Sequence, residues 1–242
     1  MEKITSRRNK CVIHAKKLSE SKSYRAEHKQ FICDGEKLFN EAVLSNTNIQ
    51  SVFVTDENRQ AEISNTNIYF ITQDLLNYIS SQKNPQGMLF ICNMPETAPV
   101  DLKIGTHILL DNVQDPGNVG TIIRSANAFG IDSVILTGET ADLYNPKTIR
   151  ASMGAIFKQK VLYLTYDELK QSGARYIGTT SNKEAHSLLD FNLSNSVIVF
   201  GSEGQGISKT VEKLCTEMIN IPLDDNVESL NVATAATIIM WE

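Results

Sequence analysis

The chain has 242 residues, of which 41% are hydrophobic and 21% charged, and its formal net charge is −5. This composition is ordinary for a globular protein, and the length suffices for one large domain or two smaller ones. No apolar run approaches the roughly 20 residues that a membrane helix needs, and the polar start MEKITSRRNK lacks the apolar stretch of a secretory signal. We therefore expect a cytoplasmic protein with no membrane partner.

The cysteines and histidines lack the spacing of metal ligands. Cys11, Cys33, Cys92 and Cys215 are far apart, and none belongs to a CxxC pair. The histidines show no metal-ligand spacing either. We predict reduced thiols and no bound metal.

Basic residues are concentrated at the start of the chain. Residues 1–31 carry nine lysines and arginines against three acidic residues, a local charge of +6. A concentrated basic face suits binding to a phosphate backbone, whatever the total charge. On charge alone, a solvated basic helix explains the pattern equally well.

The first 93 residues are predicted to form a compact α/β unit. Apolar residues at 12, 13, 15 and 18 fit one side of a helix from residue 6 to about 20. The elements that follow are a strand at 31–33, a helix over 35–45, strands at 51–55 and 68–71, a helix near 73–80 and a strand at 87–92. Residues 94–104 contain two prolines and no periodicity, so we predict a linker there.

A second alternation of strands and helices begins after the linker and defines a predicted domain over 105–242. Its predicted strands are at 107–111, 133–137, 174–180, 196–201 and 217–222. Such alternation favours a mostly parallel sheet with helices on both faces. Ligands of these sheets bind at the carboxyl ends of the strands, so the residues after each strand are the first candidates for a site.

The first such stretch is LLDNVQDPGNVGTIIRSANAFGI, residues 109–131. Gly117 and Gly120 allow a close backbone approach at the start of a helix, where free N–H groups favour a phosphate or another anion. Asn118 lies at the tip of the turn, and Arg124 lies within the helix. Taken alone, this pattern is also that of a simple tight turn between a strand and a helix.

The second stretch is VIVFGSEGQGIS, residues 197–208, in which a buried strand runs into three glycines. No GK[ST] follows, so this is not a P-loop. Glu203 inside the loop would repel phosphates, which favours a nucleoside ligand without a polyphosphate. A glycine-rich loop with an exposed glutamate is the simpler alternative.

The third stretch is INIPLDDNVESLNVATAATIIMW, residues 219–241. Its small and apolar residues predict a final helix that packs closely. Ser229 or Asn231 could be the N-cap, since both residue types are preferred there. Capping explains one of these residues and leaves the long run of polar residues before the helix unexplained.

These stretches resemble the signature motifs of the SpoU (TrmH-like) family of RNA ribose 2′-O-methyltransferases, within the SPOUT superfamily. The likeness covers roughly residues 105–242 and rests on DNVQDPGNVGTIIRSANAFG, NPKTIRASMGAIF, FGSEGQGIS and IPLDDNVESLNVATAA. Residues 1–92 resemble more loosely the family's N-terminal substrate-binding domain, through ITSRRNK, FICDGEKLFNEAV and NPQGMLF. The resemblance implies a smaller N-terminal α/β domain and a C-terminal methyltransferase domain with a deep trefoil knot, a rare exception to unknotted folding.

The resemblance also implies an activity. S-adenosylmethionine would give its methyl group to a ribose 2′-hydroxyl of RNA, and the N-terminal domain favours ribosomal RNA. The alternatives are methylation of tRNA, or a catalytically silent RNA-binding or ribosome assembly factor with the same fold. The complete polar cluster argues against a silent factor.

The resemblance carries roles over to individual residues. The implied catalytic residues are Arg124, Asn118, Glu203, Ser229 and Asn231. The implied cofactor contacts are Thr179, Gly201, Ile221, Leu223 and Leu230. The implied RNA contacts are Arg7, Arg8, Lys10, Arg150 and Ser152, with a helix-capping role as the alternative for the last two.

Two features of the mechanism also follow from the resemblance. Arg124 would act either as a general base or as an electrostatic stabiliser of the developing alkoxide. Arginine normally stays protonated, so we favour stabilisation, with Asn118, Ser229 and Asn231 fixing the geometry and Glu203 orienting the cluster. Members of the family work as homodimers whose catalytic residues can come from both subunits, and the small residues of the last helix are compatible with close packing.

Overall fold

The computed structural model describes residues 2–56 and 66–242. Its strands are β1 (Glu2–Ile4), β2 (Gln30–Asp34), β3 (Ile49–Val54), β4 (Asn67–Ile71), β5 (Met88–Asn93), β6 (Thr106–Asp111), β7 (Ser133–Thr137), β8 (Val161–Tyr163), β9 (Tyr176–Thr179), β10 (His186–Ser187), β11 (Ser196–Phe200) and β12 (Cys215–Asn220). Its α-helices are α1 (Lys10–Glu20), α2 (Lys22–His28), α3 (Glu36–Leu44), α4 (Gln73–Ile79), α5 (Pro116–Ala128), α6 (Pro146–Ser152), α7 (Tyr166–Ser172), α8 (Lys209–Glu212) and α9 (Val232–Trp241). Short 3₁₀ helices span Ala155–Phe157 and Leu188–Asp190.

The chain divides into two compact units. Unit 1 comprises Met1–Glu96 and Tyr144–Phe157, and unit 2 comprises Thr97–Leu143 and Lys158–Glu242. The segment Tyr144–Phe157 differs from the predicted domain boundaries, which placed it inside 105–242. It packs in unit 1 because the Tyr144 ring stacks on the ring of Phe31, with the centroids 4.5 Å apart.

Unit 1 is built on a mixed sheet. In the described part of the chain this sheet has five strands in the order β1-β4-β3-β5-β2. The strands β1, β4 and β3 are parallel, whereas β5 pairs antiparallel with both β3 and β2. The predicted strands and helices of this region are all present, and β1 and α2 are additional elements that the sequence pattern did not predict.

Helix α1 starts later than predicted and turns a narrower face to the core. It begins at Lys10 because the Asn9 side chain accepts a hydrogen bond from the Cys11 N–H, at 2.8 Å, and caps the helix there. Val12 is buried in the core with Phe53 of β3. Ile13 was predicted on the same side, but its side chain is 40% exposed. Consecutive residues of an α-helix are rotated by about 100° around the axis, which carries Ile13 away from the face of Val12.

Unit 2 is built on a parallel sheet. Among the described residues it has seven strands in the order β10-β12-β9-β11-β6-β7-β8, and all its pairings are parallel. This confirms the prediction of a mostly parallel sheet. The short strands β8 and β10 are additions at its two edges. The trefoil knot remains a prediction.

The strand order brings the predicted site together. Strands β12, β9, β11 and β6 are consecutive neighbours, so their carboxyl ends lie side by side along one edge of the sheet. On one face Leu169 of α7 and Val211 of α8 pack against strand residues such as Val199. In the described ranges, no helix has both the length and the apolar character needed to cross a bilayer.

Unit 1 contains a carboxyl group whose burial should make stability depend on pH. Burial raises the pKa of Asp34, while hydrogen bonds from Ser80 and Gln82 and the charge of Arg150 oppose the rise. One oxygen of this carboxyl accepts from the Ser80 hydroxyl, and the other is buried without a hydrogen-bond partner among the described residues.

The native state therefore binds this proton more tightly than the unfolded chain does. We expect the free energy of unfolding to fall as pH rises from the ordinary carboxyl pKa through the raised folded pKa. Asp34→Asn removes the titrating carboxyl group, so this part of the pH dependence of the free energy of unfolding should disappear. Urea unfolding of both proteins from acidic to neutral pH measures the difference, and two parallel curves would contradict the prediction.

Candidate active site

The turn after β6 is shaped by the side chain of Asp115. Its Oδ1 accepts hydrogen bonds from the N–H groups of Gly117 and Asn118, at 2.7 and 3.0 Å, and caps α5. This corrects the predicted anion site at the start of that helix, because a carboxylate already occupies these two donors. The cap instead fixes Asn118 in the first turn of α5, at the carboxyl edge of the sheet.

The glycine-rich loop after β11 is a tight backbone hairpin. Ser202 and Gly206 exchange two N–H to O hydrogen bonds of 3.0 and 2.9 Å. A Cβ atom on Gly201 would lie 2.0 Å from the carbonyl carbon of Gly206, so this position requires glycine. The hairpin presents Glu203 at its tip, where the residue is exposed.

A buried carboxylate anchors the far end of this loop. Asp111 at the end of β6 is fully buried and accepts a hydrogen bond from the Ser208 N–H at 2.7 Å. It also accepts from Asn112 Nδ2 at 2.8 Å and from the Tyr166 hydroxyl at 3.2 Å. We did not predict Asp111 as a site residue. The signal available in the sequence was an acidic residue closing an otherwise apolar strand.

Three predicted catalytic residues form one hydrogen-bonded cluster, which we call the amide cluster: Asn118, Glu203 and Asn231. Asn118 Nδ2 donates to a carboxylate oxygen of Glu203. Asn231 Nδ2 donates to Asn118 Oδ1 at 3.2 Å. The amide cluster therefore joins the residues that follow β6, β11 and β12.

Asn231 also caps the last helix. Its Oδ1 accepts from the N–H groups of Ala233 and Thr234, at 2.9 and 3.4 Å. Of the two predicted candidates for the N-cap, the structure therefore has Asn231 and not Ser229. One amide performs both tasks because its oxygen faces the helix while its nitrogen faces Asn118.

Helices α5 and α9 hold the two asparagines at this distance. The hydroxyls of Ser125 and Thr237 are 2.8 Å apart, and Thr237 also donates to the Ala233 carbonyl at 2.8 Å. Ala233 and Ala236 are buried on α9. The small side chains permit a close approach, so the positions of Asn118 and Asn231 are set by helix packing as well as by their own hydrogen bond.

Two predicted catalytic residues lie outside the amide cluster. Ser229 and Arg124 are exposed, and neither side chain makes a hydrogen bond or ion pair with any residue that the structure describes. Arg124 follows Asn118 by six positions on α5, which corresponds to about 9 Å along the axis and a third of a turn around it. Its side chain therefore leaves the helix in a different direction from that of Asn118.

The predicted cofactor residues lie at two neighbouring strand ends and in the segment between β12 and α9. Thr179 ends β9 and donates to the Val199 carbonyl at 2.8 Å, and Gly201 directly follows β11. All five predicted residues are half-buried: Thr179, Gly201, Ile221, Leu223 and Leu230. Half-buried aliphatic side chains and backbone groups suit an adenine ring and a sulfonium better than a polyphosphate. The residues therefore fit S-adenosylmethionine. Over 2–56 and 66–242, no three metal-ligating side chains are grouped.

The predicted RNA contacts all belong to unit 1. Arg7 forms an ion pair with Asp74, in which one guanidinium nitrogen lies 3.0 and 2.9 Å from the two carboxylate oxygens, and the guanidinium lies over the Tyr78 ring. Arg8 and Lys10 are exposed.

The other two predicted RNA contacts lie on α6. Arg150 is half-buried and donates to the Ser81 hydroxyl at 3.1 Å. Ser152 is buried and donates to the Ile149 carbonyl at 2.7 Å. The Ser152 hydroxyl is thus turned into the last turn of α6. This corrects the predicted RNA contact at that residue and fits the alternative role at a helix end.

The two tasks of Asn231 can be separated by substitution. Asn231→Ala removes the cap and should lower the free energy of unfolding by about 1 kcal/mol. Asn231→Asp keeps an acceptor for the helix N–H groups but cannot donate to Asn118, so its stability should stay near that of the original chain. Urea unfolding of the three proteins provides the measurement, and equal losses for Ala and Asp would refute the separation.

Comparison with known proteins agrees with this architecture. Residues 105–241 match the SpoU rRNA Methylase family, and residues 9–89 match the MRM3-like substrate binding domain. The chain is 34% identical to the 23S rRNA (guanosine(2553)-2′-O)-methyltransferase RlmP of Bacillus subtilis, over 100% of this chain and 98% of that protein.

Solved structures show the same likeness. The SpoU methyltransferase AviRb from Streptomyces viridochromogenes, in complex with AdoMet, has a TM-score of 0.82 at 25% identity and covers 97% of this chain and 96% of its own. The AdoMet-bound rRNA methyltransferase from Sinorhizobium meliloti has a TM-score of 0.87 at 25% identity, over 99% and 96%. With the family match spanning more than half of its residues, the chain belongs to the SpoU rRNA methylase family.

Proposed function

We propose that this protein transfers a methyl group from S-adenosylmethionine to a ribose 2′-hydroxyl of ribosomal RNA. The observation that carries the proposal is the amide cluster, which joins the segments that follow three strands of the parallel sheet, β6, β11 and β12. The Bacillus subtilis relative, named as a 23S rRNA 2′-O-methyltransferase, supports both the reaction and the substrate class. We expect the protein in the cytoplasm, where a bacterial relative such as that of Bacillus subtilis meets its ribosomal RNA.

When bound, S-adenosylmethionine supplies a methyl group that is already activated by the sulfonium. The chain's task is therefore to hold the cofactor and to align an acceptor. Ile221, Leu223 and Leu230 would pack on the adenine, with Thr179 and Gly201 at the adjoining strand ends. Within the glycine-rich loop, Glu203 places a negative charge at this edge of the sheet, which suits a cationic ligand.

The amide cluster would position the ribose. Each asparagine amide has two N–H groups, and Asn118 and Asn231 each use one of them within the cluster. The second N–H of each side chain can donate to a ribose oxygen. Glu203 fixes the orientation of Asn118, which is the orienting role that the sequence predicted for it. Ser229, exposed two residues before Asn231, would add a hydroxyl contact.

Arg124 would stabilise the negative charge that develops on the 2′-oxygen and would hold the adjacent phosphate. A guanidinium stays protonated at neutral pH, so electrostatic stabilisation suits it better than proton abstraction. The exposed side chain leaves α5 a third of a turn around from Asn118 and about 9 Å further along the axis. We therefore propose that Arg124 completes the site of a second copy in a homodimer.

An exposed apolar patch on unit 2 supports such a dimer. The Trp241 ring is 74% exposed and contacts the Phe129 ring edge to face, with the centroids 5.8 Å apart. Ile238 lies exposed one turn away on α9. Ala233 and Ala236, by contrast, are buried within the chain.

Replacement of Arg124 tests the catalytic role. Arg124→Ala should reduce the rate constant of methyl transfer by about 10²-fold or more, because one preorganised charge at the oxyanion is lost. Arg124→Lys should recover part of that loss. Calorimetry should show unchanged S-adenosylmethionine binding in both variants. Retained ribose methylation in Arg124→Ala, mapped on ribosomal RNA and tRNA from cells with and without the gene, would contradict the assignment.

Mixing two inactive variants tests the shared site. Arg124→Ala and Asn118→Ala should each be inactive alone, but their mixed dimer would contain one site with both residues intact. Random exchange in an equal mixture should therefore restore about one quarter of the original activity. A mixture that stays inactive after confirmed subunit exchange would show that Arg124 acts within its own chain.

A further inference from the structure

Unit 1 contains a cavity of about 210 Å³ beside the first turn of α1. Its inner wall is aromatic and apolar and comes from three neighbouring strands. Phe53 of β3 and Tyr69 of β4 have ring centroids 5.2 Å apart, and Ile91 of β5 is buried beside them. Phe53 and Ile91 are covered by the protein, whereas Tyr69 is only half-buried, so a flat ligand can stack on the Tyr69 ring.

The rim of the cavity is polar and offers unused hydrogen-bond donors. Lys10, Gln50 and Asn67 line the opening, and all three are exposed. The side chains of Lys10 and Asn67 make no hydrogen bond or ion pair with any described residue. Gln50 Oε1 accepts from Gln30 Nε2 at 2.7 Å, which leaves the Gln50 amide N–H groups for a ligand.

A hydrogen-bond network behind the rim fixes this arrangement. Gln30 Nε2 also donates to Asn93 Oδ1 at 2.9 Å, and its Oε1 is 2.8 Å from His14 Nε2. Because an amide oxygen only accepts, His14 Nε2 carries the hydrogen, and His14 Nδ1 accepts from the Tyr24 hydroxyl at 3.0 Å. Burial lowers the pKa of His14, so the ring is a neutral wall of the cavity at neutral pH. Gln50 is thus held with its donors facing outward.

We propose that this cavity takes one unpaired base of the RNA substrate, with Lys10 at the phosphate beside it. RNA is read chiefly through unstacked bases that pack on aromatic side chains and hydrogen-bond along their edges. The Tyr69 ring and the unused N–H groups of Gln50 and Asn67 match those two requirements. The excess of basic residues over 1–31 favours RNA over an uncharged partner. The inference rests on the proposed function and assigns a base-binding site within it.

A pair of matched double variants tests the base-binding site in the full chain. Gln50→Ala with Asn67→Ala removes the rim amides. Gln73→Ala with Asn77→Ala removes the same residue types from an exposed, mutually hydrogen-bonded pair on α4, away from the cavity. Filter binding to deproteinised 23S ribosomal RNA from cells lacking the gene gives the Kd. Circular dichroism and thermal unfolding verify that both variants are folded.

We expect the first variant to raise the Kd and the KM for RNA about tenfold, the loss of roughly one base contact. Its kcat and its affinity for S-adenosylmethionine should be unchanged, and the second variant should behave like the original chain. Lys10→Gln should reduce the slope of log affinity against log salt concentration by about one.

Other results would overturn the base-binding site. The proposal fails if the Kd of the rim variant is unchanged or if the α4 variant loses as much RNA affinity. It also fails if the original chain does not bind the RNA. Rim-dependent binding of AMP, GMP, CMP or UMP without any change in RNA affinity would instead assign the cavity to free nucleotides. An original chain that binds RNA through the rim but never methylates it would refute the proposed function and leave the base-binding site standing.

Discussion

The hydrogen bond from Asn231 to Asn118 is the constraint on which the candidate active site depends. It joins the beginnings of α5 and α9, which are more than a hundred residues apart in the chain. Each asparagine is also tied to its own backbone: Asn118 through the Asp115 cap and Asn231 through its own cap of α9. The directions of both amides are thus fixed by helix geometry before any ligand binds. Such preorganisation limits the reorganisation that binding or catalysis would otherwise require.

The glycine-rich loop is held by a second constraint of a different kind. Its backbone hairpin closes through Ser202 and Gly206, and its far end is fixed to the buried Asp111. A buried carboxylate is costly unless it is well hydrogen-bonded, and this one accepts hydrogen bonds from three groups. The hairpin and the Asp111 anchor therefore fix the backbone of the loop that carries the exposed Glu203.

Unit 1 contributes chemistry of another type. Its basic residues are not equivalent, since Arg7 is neutralised by Asp74 while Arg8 and Lys10 remain exposed. Its polar residues are also divided between a half-buried hydrogen-bonded network and an exposed rim that offers unused donors. The motif NPKTIRASMGAIF belongs to the family match of residues 105–241 but packs in unit 1. A segment continuous in sequence with the catalytic domain thereby supplies part of the other unit's structure.

The sequence predicts the alternation of strands and helices, the parallel sheet and the glycine-rich turn, because these follow from local periodicity and backbone preference. Through the resemblance of its motifs to the SpoU family, it also identifies Asn118, Glu203 and Asn231 as candidates. It could not decide between Ser229 and Asn231 as the cap, because both residue types suit that position. Nor could it reveal Asp111 as an anchor, the occupied donors at the start of α5, or the inward turn of Ser152. Those features depend on which side chains meet across long sequence separations, and only the tertiary structure brings such partners together.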